Sequence, residues 1–145
     1  MEATDAAYLA GILDGEGCLS VGWRLKKYIT PTLQVTNTDK RLIDWLLDTL
    51  GGSVYEQPAR PTRKRCWLWR CAGQVARRAI AEARPYLKIK GAQADLILNM
   101  TRVTEVRRDR LGRLQQTLTA EQHAANASLV SAIRALNRRG VDPLL

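Results

Sequence analysis

The sequence has a single histidine, His123, and only three cysteines, Cys18, Cys66 and Cys71. One histidine excludes the usual His-rich zinc sites, so any metal is expected on carboxylates. An odd cysteine count without a CxxC spacing fits free thiols better than a disulfide framework. It points to a reducing, intracellular compartment: cytoplasmic, nucleoid or organellar, depending on the host. Long apolar runs are also missing. The longest, Ala6 to Leu13, is too short to span a bilayer, and Glu2 and Asp5 stand where a secretory leader would carry basic residues. No membrane or leader segment is therefore expected. Internal repeats and low-complexity segments are absent too.

Acidic residues are scarce: 14 Asp and Glu face 23 Lys and Arg, a net charge of +9 over 145 residues. With 46% hydrophobic residues the chain can bury a core, which excludes a disordered tail or a disulfide-dependent miniprotein and predicts one compact domain. The positive charge is unevenly spread. Residues 1–50 hold 5 basic and 7 acidic residues, 51–100 hold 10 and 3, and 101–145 hold 8 and 4. The densest tracts are Arg60, Arg63, Lys64, Arg65 and Arg70, then Arg77, Arg78, Lys88 and Lys90. This density suits a polyanion such as nucleic acid, although charge alone leaves a solvated basic face equally open.

Hydrophobic periodicity predicts an α+β fold. Thr4 or Asp5 is expected to cap a first helix with Tyr8, Leu9, Ile12 and Leu13 at helical spacing, stopped by Gly15 and Gly17. The period then switches to two. Leu19, Val21, Trp23 and Leu25, then Ile29, Leu33 and Val35, mark an antiparallel hairpin with one polar face, in which Pro31 suggests an irregularity or an edge. Thr38 is expected to cap a second helix through Leu50, ended by Gly51 and Gly52. Residues 53–57 and 65–71 form a second strand pair, joined by a Pro- and Arg-rich loop expected to be mobile when unoccupied. Trp23, Trp67 and Trp69 are read as core. Helices are predicted over 74–84 and 92–109, with a linker at 110–118. A last helix follows, opened by a Thr119–Gln122 capping box. Residues 1–109 are thus read as the core and 110–145 as a linker and C-terminal helix on the same domain. The order αββαββα places helices on one face of an antiparallel sheet and leaves its polar face open.

The segment Leu9-Ala10-Gly11-Ile12-Leu13-Asp14-Gly15-Glu16-Gly17 departs from ordinary helix rules. Asp14 and Glu16 crowd the negative end of the helix dipole, which calls for a compensating cation or a function. Gly11 and Gly15, four apart on one face, each weaken the helix by about 1 kcal/mol relative to Ala. A helix stripped of Cβ atoms along one stripe can approach another backbone closely. Two such helices packed together would bring two Glu16 carboxylates side by side, where a divalent cation would relieve their repulsion.

This nonapeptide resembles the LAGLIDADG motif of homing endonucleases, in an Asp-Gly-Glu-Gly variant. The αββαββα order and the stretches Gln34 to Arg41 and Pro85 to Ala94 are similar to single-motif members, so the resemblance covers roughly residues 6–100. It implies a LAGLIDADG-like core and a sequence-specific, double-strand DNA endonuclease of the homing type, a mobile-element enzyme encoded in an intron or intein. The metal acid of the family falls on Glu16, with the Gly15 carbonyl beside it; Asp14 takes a structural role. Asn37, Arg41 and Lys90 fall on the positions placed around the scissile phosphates, Asn37 to orient the attacking water and the two cations to neutralise charge at phosphorus. The implied cofactor is Mg2+, with Mn2+ or Ca2+ able to substitute for binding, and no organic cofactor. Glu replaces the usual second Asp of the motif, a change that magnesium tolerates.

The open sheet face is expected to read the major groove. Its residues are Ser20, Arg24, Lys26, Tyr28, Thr30, Thr32, Gln34, Tyr55, Gln57, Leu68 and Arg70, with Arg60, Arg63, Lys64 and Arg65 gripping phosphates. One motif without a repeat implies a C2 homodimer on a long, near-palindromic duplex, with Tyr8, Gly11, Ile12 and Gly15 at the dimer interface, and the resemblance implies cleavage that leaves 3′ overhangs. The alternative is a non-cleaving DNA- or RNA-binding protein on the same fold, a maturase or regulator, for which the basic C-terminal region with Arg107, Arg108, Arg110, Arg138 and Arg139 would provide a surface.

Overall fold

The computed structural model describes residues 1–24, 28–100, 107–108, 110–112, 114–115 and 119–138. In chain order these form α1 (Ala3–Glu16), β1 (Gly17–Arg24), β2 (Tyr28–Asn37), α2 (Lys40–Leu50), β3 (Ser53–Gln57), β4 (Cys66–Ala72), α3 (Gly73–Ala83), a 3-10 turn (Arg84–Tyr86), α4 (Gly91–Leu98), β5 (Arg107–Arg108), β6 (Leu114–Gln115) and α5 (Ala120–Asn137). The order αββαββα stands as the residue patterns predict.

The four main strands pair antiparallel in the order β1-β2-β4-β3. Leu19, Val21, Leu33, Val35, Trp69 and Cys71 project from one face into a core completed by Leu9, Ala10 and Leu13 of α1, Ile43 and Leu46 of α2, and Ala76, Ala79 and Ile80 of α3. Trp69 is fully buried, and its indole N–H donates to the Gly51 carbonyl at 2.8 Å. Trp23 and Trp67 pack partly buried against the same core. The Gly51-Gly52 corner is obligatory. Gly52 has φ +102°, and a Cβ there would lie 2.5 Å from the Arg70 carbonyl oxygen.

Several boundaries differ from the expectations, each for a local reason. Helix α1 begins two residues earlier than a Thr4 cap would allow and three earlier than an Asp5 cap, with Glu2 at the N-cap and no side-chain cap. Gly15 lies within its last turn, and Gly17 closes it with an ordinary negative φ. Asp39 rather than Thr38 caps α2, its carboxylate accepting from the Arg41 backbone N–H. Pro31 sits in an inner strand, yet β4 pairs with β2 only from Thr32 onward, so Pro31 is flanked by β1 alone. The loop after β3 is closed by reciprocal backbone bonds between Arg60 and Arg63 at 2.8 and 3.0 Å.

The largest correction is at α4, which stops at Leu98 instead of running to Asp109. Arg77 of α3 donates to the carbonyls of Ile97, at 2.9 Å, and Leu98, taking up the helix's last acceptors. Arg107–Arg108 then pair with Leu114–Gln115, in what the sequence offered as helix and linker. The capping box at Thr119–Gln122 is present. Helix α5 docks on β1: Val130 and Ile133 join the core, Asn137 donates to the Leu19 carbonyl at 2.8 Å, and His123 stacks on Trp23 with ring centroids 5.1 Å apart.

Candidate functional site

The end of α1 answers the dipole problem for one of its two acids. The Asp14 carboxylate accepts backbone N–H groups from Lys88 (2.7 Å), Ile89 (3.2 Å) and Lys90 (3.0 Å). Partial burial pushes its pKa up, but these three donors and the Lys90 charge outweigh it and hold the carboxyl below the ordinary value. In return the Lys90 ammonium, on a side chain buried to 7% exposure, donates to the carbonyls of Leu13, Asp14 and Gly17. A cation on the last carbonyls of a helix is the compensation that two acids there require. Asp14 and Lys90 thus interlock α1 with the turn at 88–90. The resemblance implies Lys90 near the scissile phosphates; in this structure its ammonium is committed to backbone carbonyls at the end of α1.

Glu16 is left exposed. Its carboxylate accepts from the Asn37 side-chain amide, and the Asn37 Oδ1 accepts the Asp39 backbone N–H at 2.7 Å. The second bond fixes which end of the amide faces Glu16. Arg41 does not join this pair. Its Nε and Nη2 fork onto the Asp39 carboxylate at 3.0 and 2.6 Å, and its side chain is 91% exposed. Bonds from the Arg41 side chain, then from its backbone, bring the Asp39 pKa down to about 2. The sequence reading missed Asp39; its position immediately before a helix that opens on Lys40 and Arg41 was the available signal.

A groove of about 440 Å³ runs along α1 beside Glu16, lined by Ala7, Tyr8, Gly11, Ile12, Gly15, Glu16, Asn37 and Leu42. Tyr8 is half exposed and meets Trp45 edge to face at 4.8 Å. Gly11 and Gly15 are exposed, and a Cβ added to either meets nothing within 4 Å. Nothing among the described residues demands glycine there. Ile12, expected at an interface, is already 9% exposed in one chain and contributes only an edge of the groove.

On the opposite side of the sheet the register assembles polar rows. Cys18, Gln34, Arg70 and Ser53 form one row across all four strands, and Thr36, Leu68 and Tyr55 form the next. Ser20, Thr30, Gln34, Tyr55, Gln57, Leu68 and Arg70 all lie on this face. Thr32 does too, but at 4% exposure it is withdrawn from contact. Gln57 is tied to the Cys66 thiol at 3.5 Å. Arg24 and Tyr28 pair in the strand backbone, while their side chains and Lys26 lie outside the described residues. Arg60, Arg63 and Lys64 are exposed on the adjoining loop. Arg65 is engaged within the chain, 2.7 Å from Glu56 and 5.1 Å above the Trp67 ring.

Glu16 and the neighbouring backbone carbonyls are hard oxygen donors of the kind that suit magnesium or calcium rather than zinc. Among the described residues no group of three or more His, Cys, Asp or Glu could hold a metal. All three cysteines are free thiols, with Cys71 pushed up to about 11 by burial. No described helix is long and apolar enough to cross a membrane.

No family model and no curated protein sequence matches the chain. Solved structures do. A homing endonuclease, I-CvuI, in complex with its target in the presence of calcium, superposes with a TM-score of 0.67 at 21% identity, over 97% of this chain and 85% of its own. An archaeal intron-encoded homing endonuclease complexed with DNA gives 0.67 at 11% identity, over 99% and 90%. This chain has the LAGLIDADG homing-endonuclease fold. The LAGLIDADG homing endonuclease I-GzeII, in complex with its DNA target, matches at 0.59 and 19% identity over 94% of this chain, which spans just under half, 46%, of that protein.

Proposed function

We propose that this chain is a sequence-specific, double-strand DNA endonuclease of the homing type, intracellular and active as a homodimer. The observation that carries the reading is the unequal treatment of two acids at the unfavourable end of α1. Asp14 is satisfied by the fold, whereas Glu16 is exposed and, among the described residues, held by Asn37 alone. An acid kept where the helix dipole opposes it, oriented by an amide and otherwise free, is suited to a cation that arrives from outside the chain.

The dimer follows from the glycine stripe. Gly11 and Gly15 weaken α1 by about 1 kcal/mol each, yet no neighbour in the chain needs the missing Cβ. Close backbone contact with α1 of a second copy supplies a reason, and it brings the second Glu16 that one chain lacks. Glu16 and the Gly15 carbonyl are the residues that would hold the metal, with Asn37 fixing the carboxylate's orientation and Lys90 fixing the end of α1. A divalent ion, Mg2+ with Mn2+ or Ca2+ able to substitute for binding, would supply an activated water and neutralise charge at phosphorus. The sheet rows around Gln34 and Arg70 would read base edges in the major groove, and Arg60, Arg63 and Lys64 would meet phosphates. A two-fold dimer would take a near-palindromic target, and the family resemblance implies 3′ overhangs on cleavage.

A cleavage selection on a randomised near-palindromic duplex library with magnesium tests the reading. Wild type is expected to enrich cut sequences. Glu16→Gln is expected to abolish cutting while keeping duplex affinity within about tenfold, because the phosphate contacts remain. Full cleavage by that variant overturns the assignment.

A further inference from the structure

We propose that Asp39 is a positioning residue that holds Arg41 in the free protein and must yield it to a DNA phosphate, so that competition between two anions for one guanidinium sets how tightly duplex is bound. The proposal rests on the DNA-binding reading above. Arg41 offers its Nε and Nη2 edge to Asp39 at 3.0 and 2.6 Å. The same fork matches a phosphate, and one edge cannot serve both acceptors at once. The pair stands at the surface, with side chains 91% and 47% exposed, so its exchange for another anion meets only a weak, salt-screened interaction. The other cation of this turn, Lys40, is paired with Asp44 at 2.6 Å and does not relieve Asp39.

Asp39 has two further contacts that do not depend on its charge. Its carboxylate oxygen caps α2 through the Arg41 backbone N–H at 2.9 Å, and its own backbone N–H fixes Asn37 at 2.7 Å. Because Asn37 in turn holds Glu16, one residue links the cation at the helix start to the acid at the end of α1. Asn caps helices as well as Asp does and keeps the backbone N–H, so Asp39→Asn removes the ion pair alone.

The test uses the full chain and a fluorescent mixed-sequence duplex without divalent cation, so that binding is read apart from cleavage. Asp39→Asn is expected to bind about three- to fivefold more tightly than wild type, with a log–log salt slope steeper by about 0.9. In an Arg41→Gln background the same change is expected to alter affinity by less than about 1.5-fold, since no guanidinium remains to be released. On a cut target, KM falls while kcat stays. In the free protein, NMR is expected to show a protected Arg41 Nη2 group, whose acceptor Oδ2 is removed in Asp39→Asn. Asp39→Ser, another capping residue, is expected to reproduce each effect if Asn perturbs the turn. Equal binding by wild type and Asp39→Asn, or an equal gain in the Arg41→Gln background, overturns the proposal alone. A wild type that binds no duplex overturns the functional reading and this proposal with it.

Discussion

Two basic side chains, Lys90 and Arg41, are offered by the sequence as equals. Lys90 is buried and shared among three carbonyls, whereas Arg41 is almost fully exposed and paired with a single acid. The buried cation belongs to the scaffold: losing it strips a helix end of its donors. The exposed one is exchangeable, because its partner competes with water and salt for it. Proximity to a motif therefore does not distinguish a group that builds a site from one that meets a ligand; burial and the number of partners do.

Removing Lys90 is the sharpest way to break this contrast. Lys90→Met keeps the stem but deprives the Leu13, Asp14 and Gly17 carbonyls of their donor, and a loss of about 2–4 kcal/mol is expected in urea unfolding. Arg41→Gln should leave the urea midpoint unchanged. A Lys90→Met protein as stable as wild type would erase the distinction.

The next effect is on pH dependence. Asp14 has a folded pKa below its unfolded value, so its contribution is fully present above the ordinary carboxylate pKa of about 3.9 and is lost as pH falls through the lower folded value. Thermal melts of Asp14→Asn are expected to be less stable near neutrality and to converge on wild type in acid. Parallel pH profiles would remove Asp14 from the interlock.

Gly11→Leu probes the other face of the same helix. A Cβ there meets nothing among the described residues and replacing Gly favours the helix, so the monomer should melt no lower while the dimer dissociation constant rises at least about tenfold by sedimentation. An unaltered dimer would reject the helix-pair interface. The smallest effect is expected from Arg41→Gln itself, a loss of about tenfold in kcat/KM without a change in melting. A larger loss accompanied by unfolding would move Arg41 into the scaffold beside Lys90.

Much of the architecture was legible because alternation and helical spacing report burial directly. The β1–β2 hairpin, the Trp69 core position and the Thr119 capping box follow from residue order. The end of α4 did not, because an arginine 20 residues upstream, Arg77, takes the carbonyls that would have continued the helix. The site was legible in part. Both Glu16 and Asn37 were singled out from the sequence, and the fold joins them by a hydrogen bond that spacing does not reveal. The commitments of Lys90 and Arg41, and the withdrawal of Thr32 from the open face, depended on neighbours that sequence spacing does not reveal.

By itself the sequence determined an α+β domain with a polar sheet face, a basic second half and an acidic helix end that lacks a local explanation. Each is a property of residues a few positions apart, where periodicity and dipole arguments apply. Tertiary structure decided which of the two acids the fold satisfies. Only the fold brings residues 88–90 to Asp14 and Asn37 to Glu16, leaving one carboxylate satisfied and the other available.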